Sequence, residues 1–244
     1  MKGYDNLGLN HGIVLDLPLR EASGLITHDI AKPHHIATLT GPPTWTDVLA
    51  EGIGPSDLGI LQLNGVNQYL QIPGADTLDL DFTGDFTVAA WVYPIYTATA
   101  MVIMCRNTTG VDGWCVFLYD NPALGPLLSL RTNQGGVAPG YTECYAAGFT
   151  DSEWQLVGFS RDSAGLSATA YRNGSPVTTV LGPGGMIDPV ACGAANKLLI
   201  GVQDGEAISH FAGYKWRPRA WPWKLSDVDW LTLFALTKHW FGVV

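Results

Sequence analysis

The side chains capable of chemistry are sparse in this chain and poorly grouped for catalysis. Its glutamates are Glu21, Glu51, Glu143, Glu153 and Glu206, with no two in a cluster, whereas paired-carboxylate hydrolysis by retention needs two acids roughly 5 Å apart. No Gly-x-Ser-x-Gly elbow, His-Glu-x-x-His or phosphate loop ending in Gly-Lys-Ser/Thr occurs, so the expectation is a protein that is not an enzyme. The densest acidic stretch, Asp76, Asp79, Asp81 and Asp85, alternates with Leu78, Leu80 and Phe82. It is expected to be solvated turn residues, with calcium binding as the other reading. His34 and His35 are adjacent and lack a spaced carboxylate or cysteine partner, a pattern expected of exposed loop residues more than of transition-metal ligands. Cys105 and Cys115 lie symmetrically about Gly110, so a simple hairpin sets them face to face, within reach of a cross-strand disulfide. Cys144 and Cys192 have no such local logic, and without a signal peptide four cysteines lean towards free, buried thiols.

Composition narrows the field. The 244 residues carry 13 Lys plus Arg against 22 Asp plus Glu, a net charge of −9 with no basic run, which argues against nucleic acid as a partner. Only 14% of residues are charged, against roughly 25% in typical domains. Such an uncharged surface is tolerated when part of it is buried against other subunits, so self-association is expected. Met1 to Gly12 holds no apolar segment like that of a signal peptide, so as written the chain is not expected to be a Sec-secreted precursor. An uncharged run of 20 residues separates Asp85 from Arg106, but Pro94 splits it into two strand-like halves and no membrane span is expected.

The elements that must position these side chains are strands. Gly59 to Pro94 organises the chain: Ile60 to Leu63 and Tyr69 to Ile72 flank Asn64-Gly65, a dipeptide that predicts a hairpin. Phe86 to Tyr93 places Phe86, Val88, Ala90 and Val92 on one face and Ala89 and Trp91 on the other, the pattern of a central strand. Further strands are predicted at Ile13–Leu19, 100–106, 113–120, 127–132 and 141–147. A second Asn-Gly turn follows at Asn173-Gly174. Ser226 with Asp229 three residues on is a capping box that predicts a helix running to about Lys238.

The wording L-x-L-N-G-x-x-x-Y-L-x-I-P over 61–73 and G-D-F-T-V-A-A-W-V-Y-P over 84–94 resembles the LamG-like domains of the concanavalin A-like lectin/glucanase superfamily. Trp154 to Asp162, Ala170 to Gly174 and Leu198 to Gly201 continue the resemblance in the same order. It implies an all-β, two-sheet antiparallel jelly-roll sandwich with one short C-terminal helix, divided here as an arm (1–12), the jelly roll (13–225) and a helix with an apolar tail (226–244). In the family an aspartate at the position of Asp29 often sits near a structural calcium, so Asp29 is the candidate metal ligand. Lys32, Pro33, His34 and His35 depart from the small polar run usual there, and the closing strand lacks the family's aspartate after Gly213. The two glutamates around an aspartate that mark the superfamily's glucanases are absent.

Binding is what remains. Ligand sites in this superfamily use a flat aromatic against a sugar ring with a few polar handles. Trp114, Tyr119, Tyr141 and Tyr145, with Asp112 and Arg131, are the residues able to build such a face. Val228, Trp230, Leu231, Leu233, Phe234, Ala235 and Leu236 make the C-terminal helix apolar nearly all round, so it must bury more than one face. Either it docks beneath the sandwich under the tail Trp240 to Val244, or Trp230, Phe234, Trp240 and Phe241 form an assembly surface. Two functional readings follow. One is a structural or adhesion protein of a virus particle, resembling LamG-like capsid decoration, spike or tail components of bacteriophages, with itself and other virion proteins as partners and host-surface glycans as ligands. The other is a carbohydrate-binding module of a secreted or cell-surface protein.

Overall fold

The computed structural model describes residues 4, 7–46, 59–96, 100–136 and 140–243. In chain order the strands are β1 (Leu15–Asp16), β2 (Ile26–His28), β3 (Ile36–Thr40), β4 (Thr44–Thr46), β5 (Ile60–Asn64), β6 (Tyr69–Ile72), β7 (Phe86–Pro94), β8 (Met101–Thr108), β9 (Asp112–Asn121), β10 (Gly125–Asn133), β11 (Tyr141–Ala147), β12 (Gln155–Asp162), β13 (Ser167–Arg172), β14 (Ser175–Val177), β15 (Thr179–Leu181), β16 (Leu198–Ile200) and β17 (Ala212–Trp221), followed by the helix α1 (Asp227–Thr237). Among the described residues these make two antiparallel sheets. The eight-stranded sheet runs β14-β13-β12-β7-β17-β5-β4, with β1 also on β17, and the nine-stranded sheet runs β15-β11-β10-β9-β8-β16-β6-β3-β2. This is the two-sheet jelly roll that the family resemblance implies.

Strand β7 shows why the sandwich has two cores. Its even-numbered residues Phe86, Val88, Ala90 and Val92 point between the sheets, where they meet Leu70, Met101, Trp114 and Val116. Ala89 and Trp91 point the other way, into a second core on the outer side of the eight-stranded sheet. A strand apolar on both faces needs cover on both, and here the helix supplies the second layer.

The first Asn-Gly turn is corrected by the structure. β5 and β6 do not pair; they lie in different sheets, β5 against β17 and β4, β6 against β16 and β3. The Asn64 side chain closes a tight corner by accepting the Val66 and Asn67 amides at 2.9 and 3.1 Å, and the chain crosses the sandwich there. Gly65 is required at φ +73°, because a β-carbon would come within 2.8 Å of Ala212 Cβ. The second Asn-Gly does turn a hairpin: β13 pairs with β14, with Asn173 and Gly174 at φ 51° and 79°, the left-handed pair that a two-residue turn demands. In β17 Pro218 stands in an interior strand, and the register against β7 slips between Trp216 and Arg219, the bulge a proline imposes there. The predicted first strand is short. Only Leu15–Asp16 is extended in the ladder, and the Asp16 amide is diverted to the Asp29 carboxylate at 2.8 Å.

Helix α1 starts as its capping box predicts: Ser226 accepts the Asp229 amide, and Asp229 reaches back to the Ser226 amide. It packs on the eight-stranded sheet. Trp230 stacks on Tyr171 at 4.5 Å and donates to Ser160 Oγ at 2.8 Å. Phe241 stacks on Trp91 at 4.2 Å, and Trp240 meets Trp216 edge-on. Of the two arrangements left open the helix takes the docked one, which corrects the assembly surface proposed for its aromatics: Trp230, Phe234 and Phe241 are buried within the chain and Trp240 is partly buried against the same cluster, while Val228, Leu231 and Leu236 stay exposed, so the helix buries one face and not more. Val244, the last residue of the expected tail, lies outside the described residues. Among those residues no helix is long and apolar enough to cross a membrane; the uncharged run 86–105 supplies β7 and part of β8.

Candidate functional site

Because paired residues in antiparallel strands share a face, the register fixes which residues lie on the outer side of the nine-stranded sheet, where Val102, Cys105, Cys115, Phe117 and Leu199 form a small buried cluster of their own. One row crosses eight strands: Glu143, Arg131, Cys115, Cys105, Leu199, Gln71, Thr38 and Ile26 stand opposite one another in turn. The next row holds Tyr145, Ser129, Phe117 and Val102. Asn133 and Tyr141 form another pair on this face, and Tyr119 lies beyond Phe117, their rings 5.9 Å apart.

Arg131 organises this face. Its guanidinium lies 4.2 Å from the Tyr141 ring centroid and 5.1 Å from that of Phe117, and donates to Glu143 Oε2 at 3.0 Å through Nη2. Ser129 donates to the other Glu143 oxygen at 2.6 Å. Burial, then the Glu143 carboxylate and Tyr145, push the Tyr119 hydroxyl up from its ordinary pKa. Tyr119, Tyr141 and Tyr145 are all half-buried, so each offers ring surface outward. Two hollows open on this face, the first beside Arg131 and the second across β8 and β16. A small one of about 60 Å³ is lined by Val102, Cys115, Phe117, Arg131, Thr109 and Gln203. A larger polar one of about 370 Å³ is lined by Asn107, Thr108, Asn196, Lys197, Asp204 and Glu206, among others. Between them Asp204 accepts the Thr109 amide and hydroxyl at 2.9 and 2.7 Å.

Of the residues chosen from sequence, the structure brings Tyr119, Tyr141, Tyr145 and Arg131 onto one face. Two others are corrected. Trp114 is fully buried between the sheets, stacked near Phe82 and Phe86, with its indole N–H on Leu80 O at 3.0 Å. Asp112 accepts the Thr108 amide and the Asn196 side chain at 2.7 and 2.6 Å; it braces the edge of the polar hollow and stands apart from the tyrosines. Phe117, Glu143 and Ser129 escaped the sequence reading. Glu143 and Arg131 are equidistant from Val137 in the Gly-rich loop, the same symmetry that set Cys105 opposite Cys115, and that signal was available. Cys105 and Cys115 do face each other across β8 and β9, and all four cysteines are free and buried.

The candidate metal ligand is corrected as well. Asp29 Oδ1 accepts the amides of Asp16 and Ala31, both at 2.8 Å, and Oδ2 takes His35 Nδ1 at 2.7 Å, while His35 Nε2 reaches Asp79 at 3.1 Å. The buried His35 ring thus fills the space between two carboxylates, and the residues do not fit calcium, which wants six to eight oxygen ligands. His35 is not an exposed loop residue, although His34 beside it is. In the acidic stretch Asp76, Asp79 and Asp85 are exposed, as expected of solvated turns, and three of the four carboxylates also hold partners: Asp79 with His35, Asp81 with Arg106 at 2.8 Å, Asp85 with the Ser163 amide at 2.6 Å.

These pairs predict a pH profile. Burial alone would lower the His35 pKa, but the hydrogen bonds and charges of Asp29 and Asp79 prevail and raise it from 6.5 to about 9. Its contribution to stability is therefore complete below about pH 6.5 and lost as pH rises through about 9. Asp16 has the opposite sign. Burial would raise its pKa, but Arg219, Arg217 and the Tyr4 hydroxyl hold it at about 2 against an ordinary 3.8, so its contribution fades as pH falls from about 4 through 2. Melting temperatures of wild type and His35→Gln across pH 5 to 10 should converge at the alkaline end; a constant gap would contradict the assignment.

Two antiparallel sheets face to face with a helix backing one of them define a concanavalin A-like jelly roll. Residues 64–227 match the model of the concanavalin A-like lectin/glucanases superfamily, more than half of the chain, and the chain belongs to that superfamily. No curated protein matches its sequence. Among solved structures it is similar to the binding domain of botulinum neurotoxin serotype D/C (TM-score 0.65, 11% identity, 94% of this chain and 53% of that one). It is also similar to the binding domain of botulinum neurotoxin DC in complex with SialylT (0.64, 10%, 94% and 52%). A third is a type C structure described by dependence of cell entry on two ganglioside molecules (0.64, 10%, 94% and 52%). The chain spans about half the length of these proteins, and at such identities the likeness is one of fold.

Proposed function

We propose that this chain is a non-enzymatic glycan-binding adhesion domain that seats its ligand on the outer face of the nine-stranded sheet. The observation that carries the reading is that Tyr119, Tyr141, Tyr145 and Arg131 share one face, with Arg131 held between the Tyr141 and Phe117 rings and paired to Glu143, and that a polar hollow of about 370 Å³ opens further along it. Aromatic faces accept the apolar side of a sugar ring, and the side chains of Asn196 and Gln203 orient its hydroxyls. The solved structures that bind SialylT and gangliosides support the reading at the level of the fold. So does the state of the carboxylates on this face. Glu143 is tied to Arg131, and Lys197 and Tyr69 hold Glu206 below its usual pKa, the reverse of what a general acid requires.

Such a domain works outside a cell, on a virion surface or as a binding module of a secreted or cell-surface protein. The low charge content favours the virion setting, but the burial of Trp230, Phe234 and Phe241 inside one chain favours the module. Light scattering separates them: the module predicts a monomer, the virion component a discrete oligomer. The binding reading is tested on a glycan array. Wild type should bind, and Tyr119→Ala with Tyr141→Ala should weaken binding about tenfold or more, roughly 1.4 kcal/mol or above. A folded double variant that binds like wild type would contradict it.

A further inference from the structure

We infer that this face selects uncharged glycans and rejects those ending in a sialic acid; the inference rests on the glycan-binding reading above. A sialic acid brings a carboxylate, and a protein surface receives it well only with a cation or several free donors to spare. Among the described residues lining the two hollows the cations are Arg131 and Lys197. Arg131 directs both Nε and Nη2 at Glu143 Oε2, at 3.4 and 3.0 Å, and its faces are covered by Tyr141 and Phe117. Lys197 donates to Glu206 at 2.5 Å and to Gln71 at 2.8 Å.

Both cations are therefore paired in place, and a third carboxylate, Asp204, stands between the hollows bonded, among the described residues, to the neutral donors of Thr109. Two positive charges face three negative ones, on a chain whose net charge is −9. An incoming carboxylate must displace Glu143 or Glu206 from its partner, or sit near Asp204 unpaired, and like charges placed together reject a ligand strongly. A neutral sugar meets no such barrier. Its hydroxyls donate to these same carboxylates, and its ring lies on the tyrosines.

The test uses the full chain on an array of matched pairs, each neutral oligosaccharide printed with and without a terminal sialic acid, beside the variant Glu143→Gln. Wild type should favour the neutral member of each pair by about tenfold or more. Glu143→Gln releases the Arg131 fork, and its sialylated-to-neutral ratio should rise by a similar factor, with a melting curve to show that it folds. Sialylated members bound as well as or better than neutral ones by wild type would overturn the inference and leave the glycan reading standing. Binding to no glycan at all would overturn that reading and the inference with it. An unchanged ratio in the folded variant would overturn the role given to the Arg131–Glu143 pair.

Discussion

Replacing Arg106 by Met should lower the free energy of unfolding by about 3–5 kcal/mol, the usual cost of removing one partner of a buried ion pair. Arg106 is wholly buried on β8. Its guanidinium pairs with Asp81 at 2.8 Å and donates to Thr77 Oγ1 at 3.1 Å and to the carbonyls of Gly74 and Gly193 at 3.4 and 2.5 Å. Asp81 in turn accepts the amides of Cys192 and Gly193 at 2.7 and 2.8 Å. One side chain thus ties the turns after β6 to the segment before β16, and a methionine leaves a carboxylate and two carbonyls without their cation. Urea unfolding measures the loss; a change below about 1 kcal/mol would show that the network is exchanged for water without penalty. The effect should reach the candidate site, because residues 195–197 and Asn107 line the polar hollow.

Trp230→Ala should cost a similar amount, about 3–5 kcal/mol, through the cavity left by a fully buried indole. The fit around that ring is specific. Gly158 on β12 leaves room for it, since a β-carbon there would come within 2.7 Å of the indole, and Gly174 admits the helix backbone, with Leu231 Cα at 3.1 Å from its notional β-carbon. The indole N–H also satisfies Ser160, whose hydroxyl lies 3.0 Å from Thr87 and 3.1 Å from the Leu225 carbonyl. The variant is expected to melt lower with its molar mass unchanged. A normal melting temperature with loss of an oligomer would instead return Trp230 to an assembly role.

What could be read from residues alone followed local rules. The capping box at Ser226, the turn at Asn173-Gly174 and the two-faced pattern of β7 each depend on a few neighbours, and the structure agrees with them. Asn64-Gly65 carries the same dipeptide but turns between sheets, because an asparagine side chain that caps its own loop serves a corner as well as a hairpin. The site was partly legible for a similar reason. In β9 both Trp114, Val116, Leu118 and Cys115, Phe117, Tyr119 are apolar, so alternation cannot tell which set faces the core; Trp114, a candidate for the ligand face, lies inward. His35 needed Asp79, 44 positions away, to become a buried partner, and Arg106 needed Asp81 and Gly193. Such pairings exist only once the sheets have closed.

The central claim is that a glycan lies across the tyrosines and Arg131 of the nine-stranded sheet. Backbone amide chemical shifts of the labelled protein, titrated with the strongest neutral oligosaccharide from the array, test it most directly. The expected shifts concentrate at 115–119, 129–133 and 141–145 and extend to 196–206. Shifts confined to β17 and α1, on the far side of the sandwich, would contradict it.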